Sequence, residues 1–408
     1  MTAPDYDLVV VGGGILGAGV AQAGAAAGYD VLLLEQRHLA AGTSSRSSKL
    51  VHGGLRYLES FQLGLVRESL REREILLRNA PDLVRLVPFT IPVYRDTSRR
   101  PWQIRAGLGL YALLGGLGEH ARFAGVARAE WERLDGLRTD GLEAVFRYHD
   151  GQTDDAALTR AVVRSAQELG ARLACPAAFL AAERVGRGYR VRCREGDAER
   201  ELLTTALVNA AGPWVEQVRA RIRPEPPGMR VDLVQGAHVE LRGRLERGVY
   251  YTEARRDRRA VLTMPWKGHT LVGTTESLHL GDPDGARPLE REVEYLLETF
   301  AHYFPGRETK VLDAWAGLRV LPAAGGSLFR RRRDTHFLPD DRTAPHLVGL
   351  YGGKLTGYRA TASNALRILR RTLPPRRALA DTRFVRLVGD QADAPLPAAA
   401  RAPERTGS

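Results

Sequence analysis

Cysteine is nearly absent from this 408-residue chain. Cys175 and Cys193 alone build neither a disulfide framework nor a complete zinc site, so no metal centre is expected. Lysine is almost as scarce, confined to Lys49, Lys267, Lys310 and Lys354. Long apolar runs are missing too: none approaches the ~18 residues of a membrane-spanning helix. The longest candidate, Ala106–Leu117, is Gly-rich and follows Arg99, Arg100 and Arg105. It reads first as a buried helix and second as an interfacial membrane contact. No secretory leader precedes the first strand, and with so few cysteines the expected compartment is the reducing cytoplasm. The chain also lacks a recognised nucleic-acid module and an aromatic-interleaved basic stripe, which excludes nucleic acid as the expected partner.

What the chain has in quantity is arginine. It carries most of the formal charge of +12, a field that concentrates an anionic small molecule and, secondarily, favours an anionic membrane surface. With 44% hydrophobic and 26% charged residues the composition is globular, and the length suits two intertwined domains with separate cores. Only the end, from about Asp390 and assigned as 391–408, has the Ala- and Pro-rich bias of a disordered tail.

The run Asp7–Val11 predicts a strand that passes through a glycine turn into an Ala-rich helix over Ile15–Ala27, stopped by Gly28. A second apolar run, Val31–Leu34, ends at Glu35 and completes a βαβ unit. Within it Gly12, Gly14 and Gly17 satisfy G-x-G-x-x-G, with Ile15 opening the helix. Gly12 allows the tight turn, Gly14 lets backbone approach a pyrophosphate at the helix N-terminus, and Gly17 permits close helix–strand packing. Glu35 is placed to accept hydrogen bonds from an adenosine ribose. This motif alone does not separate FAD from NAD.

Further along, the pattern predicts helices over Gln62–Asn79, Asp154–Leu169 and Thr356–Thr372, a strand at Ala171–Ala174 and a hairpin through Tyr189–Arg194 and Glu201–Thr205. A separate short strand is expected at Ala206–Ala210, ending at Gly212-Pro213. From about Val231 to Thr275 alternating runs point to an antiparallel sheet and a second domain. A last strand follows at Leu347–Leu350. The fold class expected is α/β: a Rossmann-like, doubly wound dinucleotide domain (1–80, 145–225 and 340–390). It is intertwined with an α+β substrate domain on an antiparallel sheet (81–144 and 226–339).

The segment Gly42–Glu59, GTSSRSSKLVHGGLRYLE, closely resembles the second signature of the FAD-dependent glycerol-3-phosphate dehydrogenases, within the D-amino-acid-oxidase-like flavoproteins. Further matches follow in order: Ser69–Leu77 with Ala80-Pro81, TDDAAL at Thr153–Leu158, NAAGPW at Asn209–Trp214 and QGAHVEL at Gln235–Leu241. They continue with GTTE at Gly273–Glu276, GLRVLP at Gly317–Pro322 and YGGKLTGYR at Tyr351–Arg359. The resemblance runs from residue 5 to about 390. It implies FAD as cofactor, held by the glycine turn, by Ser44, Ser45, Ser47, Lys49 and Leu50, by Ala211 and Gly212, and by Gly353, Lys354, Leu355 and Thr356 at a helix start.

The resemblance also implies a substrate, sn-glycerol 3-phosphate, oxidised to dihydroxyacetone phosphate by hydride transfer to flavin N5, with electrons leaving to a quinone or similar acceptor. A phosphate ester needs fixed cations, and Arg56, Arg319 and Lys354 lie at the matched positions. His238 matches the substrate-facing histidine, the residue type suited to taking a hydroxyl proton, and His52 adjoins the flavin signature. Tyr57, Thr274 and Thr275 are candidate hydrogen-bonding partners. Three positions depart from the family pattern: Gln235 stands where lysine is usual, Glu276 where aspartate is, and Val320 where proline is. Many relatives also continue beyond residue 390 into a helical domain. A related flavin oxidase of an amino acid or 2-hydroxy acid, releasing peroxide, is the alternative enzyme. A non-catalytic FAD-bound regulatory or interaction protein is the alternative of another class. The expected location is cytoplasmic, with a peripheral contact on the inner face of the membrane.

Overall fold

A computed structural model of the chain describes residues 3–323, 331 and 333–389; the tail expected to be disordered lies outside the described residues. Its first sheet is built around the strand Tyr6–Val11, paired in parallel with Val31–Leu34 on one side and with the end of Ala198–Asn209 on the other. Both faces of this strand are covered. Leu8 and Val10 point to one core and Val9 and Val11 to another, so the segment reads as a continuous apolar run. Beyond Val31–Leu34 lies Arg172–Ala174; on the opposite side Ala198–Asn209 continues into an antiparallel series through Gly188–Glu195 and Ala178–Val185, with Ile222–Arg223 parallel to the last of these. Leu347–Tyr351 joins Ala198–Asn209 in parallel and carries His336–Pro339 antiparallel at its side. The short strand expected at Ala206–Ala210 is the end of Ala198–Asn209, which starts in the hairpin and finishes in the parallel sheet.

The helices are α1 (Ile15–Ala26), α2 (Leu63–Asn79), α3 (Pro101–Leu114), α4 (Asp155–Glu168), α5 (Val215–Arg219), α6 (Glu290–Tyr303) and α7 (Tyr358–Leu369). α1 packs against the sheet, α4 and α7, and its small residues make that approach possible. A Cβ on Gly19 would come within 2.6 Å of the Tyr358 ring, and one on Gly24 within 2.9 Å of Val31. Asp154 caps α4, its carboxylate accepting from the N–H groups of Ala156 and Ala157.

The second sheet runs from Ser277–His279 through Val231–Leu241, His269–Gly273, Ala260–Trp266, Val249–Glu253, Val84–Tyr94 and Leu142–Thr153 to Leu50–Val51. Val311–Pro322 is paired along Val231–Leu241. It is antiparallel except where Val249–Tyr250 meets Phe89–Thr90. Leu50–Val51 and Leu142–Thr153, from segments expected in the dinucleotide domain, pair here instead. His336–Pro339, expected in the substrate domain, pairs in the first sheet.

The run Ala106–Leu117 is not a buried helix. α3 begins at Pro101 and buries only Leu108, Tyr111 and Ala112, leaving Trp102 and Leu113 exposed at 70% and 60%, with Leu117 beyond the helix at 62%. An apolar run makes a buried helix only where other elements cover both of its sides, and α3 is covered on one side alone.

Lys49 stands where the sheets meet. Its ammonium is buried, 2.7 Å from Asp155 and 2.6 Å from the Ser45 carbonyl, above the rings of Trp266 and Trp315. It was expected on the cofactor; its partner is instead the first residue of α4, whose carboxyl burial pushes up. Removing one member of a buried pair strands the other charge, so Lys49→Met should lower unfolding stability by ~3–5 kcal/mol. Thermal melts check this. An unchanged melting temperature together with weakened cofactor binding would return Lys49 to the cofactor.

Candidate active site

A cavity of about 420 Å³ lies between the two sheets. At one end the glycine turn forms its wall. Gly12 has φ +111°, and a Cβ there would meet the Ala210 carbonyl at 2.6 Å, so this backbone approach admits only glycine. Gly14 and Ile15 also line the cavity, while Gly17 does not: its Cβ position lies 1.9 Å from the Gly12 carbonyl, which makes it a packing residue under the turn. Glu35 lines the same end. Its carboxylate accepts from the N–H of Gly13 at 2.7 Å and of Arg37 at 2.8 Å, contacts that fix it in place.

The serine loop divides. Ser44 lines the cavity and its Oγ accepts from the N–H of Ile15 at 2.9 Å, capping the first turn of α1. Ser47 and Leu50 also face inward. Ser45 does not; its hydroxyl donates to the Gly42 carbonyl inside its own turn. Ala211 and Gly212 line the opposite wall. Gly353, Lys354, Leu355 and Thr356 do so from a turn that precedes α7 at Tyr358, not from the helix itself. Sequence reasoning missed Trp214, Phe179 and Arg37 at the dinucleotide end, although Trp214 lay inside a quoted motif. The Arg37 guanidinium stacks 5.0 Å from the Trp214 ring, and the buried Trp214 Nε1 has no hydrogen-bond partner among the described residues.

One face of the second sheet is the wall of the other end. Across it His238 pairs with Gly273, Gly273 with Leu262 and Leu262 with Tyr251; further along Phe89 pairs with Tyr148, and all of these line the cavity. The polar part of this wall meets a group of cations. Arg56, Arg319 and Lys354, matched to one another only through the resemblance, converge here with Tyr57 and Thr274. Arg319 donates to Thr274 Oγ1 at 3.1 Å and to the Thr275 carbonyl at 3.4 Å, and room for its guanidinium exists because residue 236 is glycine. Burial, with Arg333 adding repulsion, lowers Arg319 to about 9. Burial likewise lowers Lys354, whose ammonium lies 4.0 Å from the Tyr57 ring centroid. Burial would raise the Tyr57 phenol, but Lys354, Arg333, Arg56 and Arg319 together hold it below its ordinary value.

Arg333 and Arg259 were missed, both from arginine-rich stretches without a recognisable motif. Arg333 pairs with Glu276, which also lies 3.2 Å from Arg259 and 3.6 Å from Arg56. Burial opposes ionisation of Glu276, yet these cations and Arg319 keep its carboxyl below the ordinary range. Two other expectations are corrected. Thr275 does not line the cavity: its hydroxyl accepts from Ala237 N–H and donates to Glu292, and Thr274 is the threonine at the wall. Gln235 is not part of the cationic group; its amide donates to Glu292 at 2.6 Å on the far side of the strand.

His238 stacks on Trp315 with centroids 5.9 Å apart, and its Nε2 lies 2.9 Å from Ser48 Oγ. A Cβ on Gly273 would reach the imidazole at 2.1 Å. Burial, assisted by Arg319 and Lys49, lowers His238 from 6.5 to about 3, so the ring is neutral at physiological pH. The unfolded chain binds a proton that this ring refuses, so His238 subtracts stability as pH falls from about 6.5 towards 3. His52, held through its backbone by Thr356 and lining the cavity, is lowered to about 4, again mainly by burial.

A nucleotide-sized ligand with a charged middle suits this chamber. One end offers Glu35 and the Trp214 indole N–H, the glycine turn brings backbone against the ligand, and the other end offers cations for an electron-rich ring or an anion. Comparison with known proteins agrees. The family model of DAO-type FAD-dependent oxidoreductases matches residues 7–362. The chain is 35% identical over 377 residues to D-erythritol 1-phosphate dehydrogenase of Brucella abortus, covering 90% of this chain and 74% of that protein. It is 37% identical over 381 residues to glycerol-3-phosphate dehydrogenase of Pseudomonas aeruginosa, covering 88% and 71%. The FAD complex of the Bacillus halodurans glycerol-3-phosphate dehydrogenase superposes with a TM-score of 0.72 at 26% identity, over 95% of this chain and 69% of that one. The cofactor of this chain is FAD, and the chain belongs to the DAO family of FAD-dependent oxidoreductases.

Proposed function

We propose that the chain oxidises sn-glycerol 3-phosphate to dihydroxyacetone phosphate and passes the electrons to a quinone or similar acceptor. One observation carries this reading: Arg56, Arg319, Arg333 and Lys354 line the same end of the cavity as the neutral imidazole of His238. FAD, when bound, supplies the acceptor for the hydride that leaves the substrate carbon. The rest is the work of this chain's side chains. The guanidinium forks and the ammonium grip the phosphate dianion, which fixes the ester in one orientation in a site screened from water. His238, uncharged, takes the hydroxyl proton as the C–H bond breaks. The two relatives quoted carry names that specify a polyol phosphate, which supports a phosphate ester over an amino acid. The apolar part of the same wall, Leu262, Tyr251, Phe89 and Tyr148, suits the ring of a quinone.

Anaerobic addition of glycerol 3-phosphate should bleach the flavin absorbance, while glycerol, lactate and glycine should leave it unchanged. Arg319→Ala should weaken reduction by the phosphate ester by roughly 10- to 100-fold, the loss of a charge-assisted fork, with FAD still bound. Equal reduction by unphosphorylated glycerol would contradict the phosphate clamp.

The location proposed is the cytoplasmic face of an anionic membrane, reached through α3. No helix among the described residues is long and apolar enough to cross a bilayer. Trp102 and Leu113 lie three turns apart on one stripe of α3, next to the 3₁₀ turn Leu55–Ser60, after which Phe61 is 85% exposed. Arg100 and Arg105 are exposed at the same helix. Aromatic anchors among arginines complement a negatively charged interface. The protein should sediment with vesicles containing phosphatidylserine and much less with phosphatidylcholine alone. Phe61→Ser combined with Trp102→Ser should reduce the bound fraction several-fold without changing oxidation measured with a soluble dye. Unchanged sedimentation of the double variant would remove α3 from the contact.

A further inference from the structure

Arg46 lies inside the serine-rich signature yet has no role in the chemistry above. Its backbone is fixed from three sides. The turn that it closes donates Thr43 Oγ1 to the Leu318 carbonyl at 2.7 Å and offers Ser44 Oγ to the N–H of Ile15 at 2.9 Å. Its own carbonyl packs against Gly317, where a Cβ would come within 2.5 Å. Arg46 thus stands two residues from the side chain that caps α1, and it is half-buried among the residues that line the cavity.

Its surroundings are cationic. Arg37 and Arg287 are near enough that, after burial, they are what lowers the Arg46 pKa, with Asp284 the opposing charge. The Asp284 carboxylate, however, is held by Arg37 at 2.6 Å, and Arg287 donates to the carbonyls of Asp284 and Ala286 at 3.0 and 2.7 Å. Arg46 alone of the three makes no hydrogen bond or ion pair through its guanidinium with the described residues. A half-enclosed cation repelled by two others is costly unless an anion shares the space.

We propose that Arg46 contacts the diphosphate of FAD, supplying the positive charge that the glycine turn of α1 lacks. Because Ser44 already occupies the Ile15 N–H, the helix terminus presents one donor fewer to that dianion, and a guanidinium from the same loop makes up for it. This inference rests on the cofactor and not on the identity of the substrate.

The test dilutes the holoenzyme through a concentration series and follows recovery of free-flavin fluorescence at two salt concentrations. Arg46→Ala should raise the FAD dissociation constant at least tenfold and flatten its salt dependence. Arg46→Lys should recover part of the affinity, and the KM for glycerol 3-phosphate at saturating FAD should stay within twofold of the parent. Arg46→Gln keeps the side-chain volume and gives the same reading should the alanine variant melt early. A dissociation constant within twofold of the parent in Arg46→Gln overturns the proposal. So does a raised KM with unchanged FAD affinity, which would assign Arg46 to the substrate phosphate. Failure of glycerol 3-phosphate to bleach the flavin would leave the FAD measurement intact and would count against the substrate reading alone.

Discussion

Cations brought together out of water repel, and the cationic end of this cavity exists because one buried carboxylate stands among them. Glu276 touches Arg56, Arg259 and Arg333, three residues from three separate parts of the chain, and offsets charge that would otherwise drive them apart. It occupies the position where the family pattern has aspartate, and its longer side chain reaches all three. The second sheet provides the frame. Gly236 leaves room for the Arg319 guanidinium and Gly273 for the His238 ring, so two glycines on adjacent strands decide that both side chains can stand at one wall.

The same wall sets the protonation states. Desolvation lowers His238 and His52 far below the usual imidazole range, and in each case nearby cations push in the same direction. The cationic cluster thus also keeps its histidine uncharged, with a ring nitrogen left unprotonated. The two properties are linked, since weakening the cationic field to favour a neutral substrate would also let the imidazole charge more readily.

The departure at Gln235 illustrates how far position in a motif can mislead. It stands in the signature where lysine is usual, but the side chain turns to Glu292 and joins Thr275 in a buried network behind the strand. Successive residues of a strand face opposite sides, so a motif that crosses the sheet contributes only part of its side chains to the cavity. Thr274 and Thr275, in the connection that follows His269–Gly273, also separate, one to the cavity and one to the core.

The sequence by itself determined the glycine turn, Glu35, the alternation that makes the second sheet, and the motifs carrying Arg56, His238, Arg319 and Lys354. These are set by local requirements, a backbone path that only glycine allows and a periodicity that survives in one dimension. Tertiary structure alone decided which charges meet: that Lys49 pairs with Asp155, that Glu276 gathers Arg259 and Arg333, and that α3 leaves an apolar stripe uncovered. Partners far apart in the chain are chosen by the packing of two sheets, and the energy of a charge depends on how much water that packing removes. No stretch of sequence encodes that quantity.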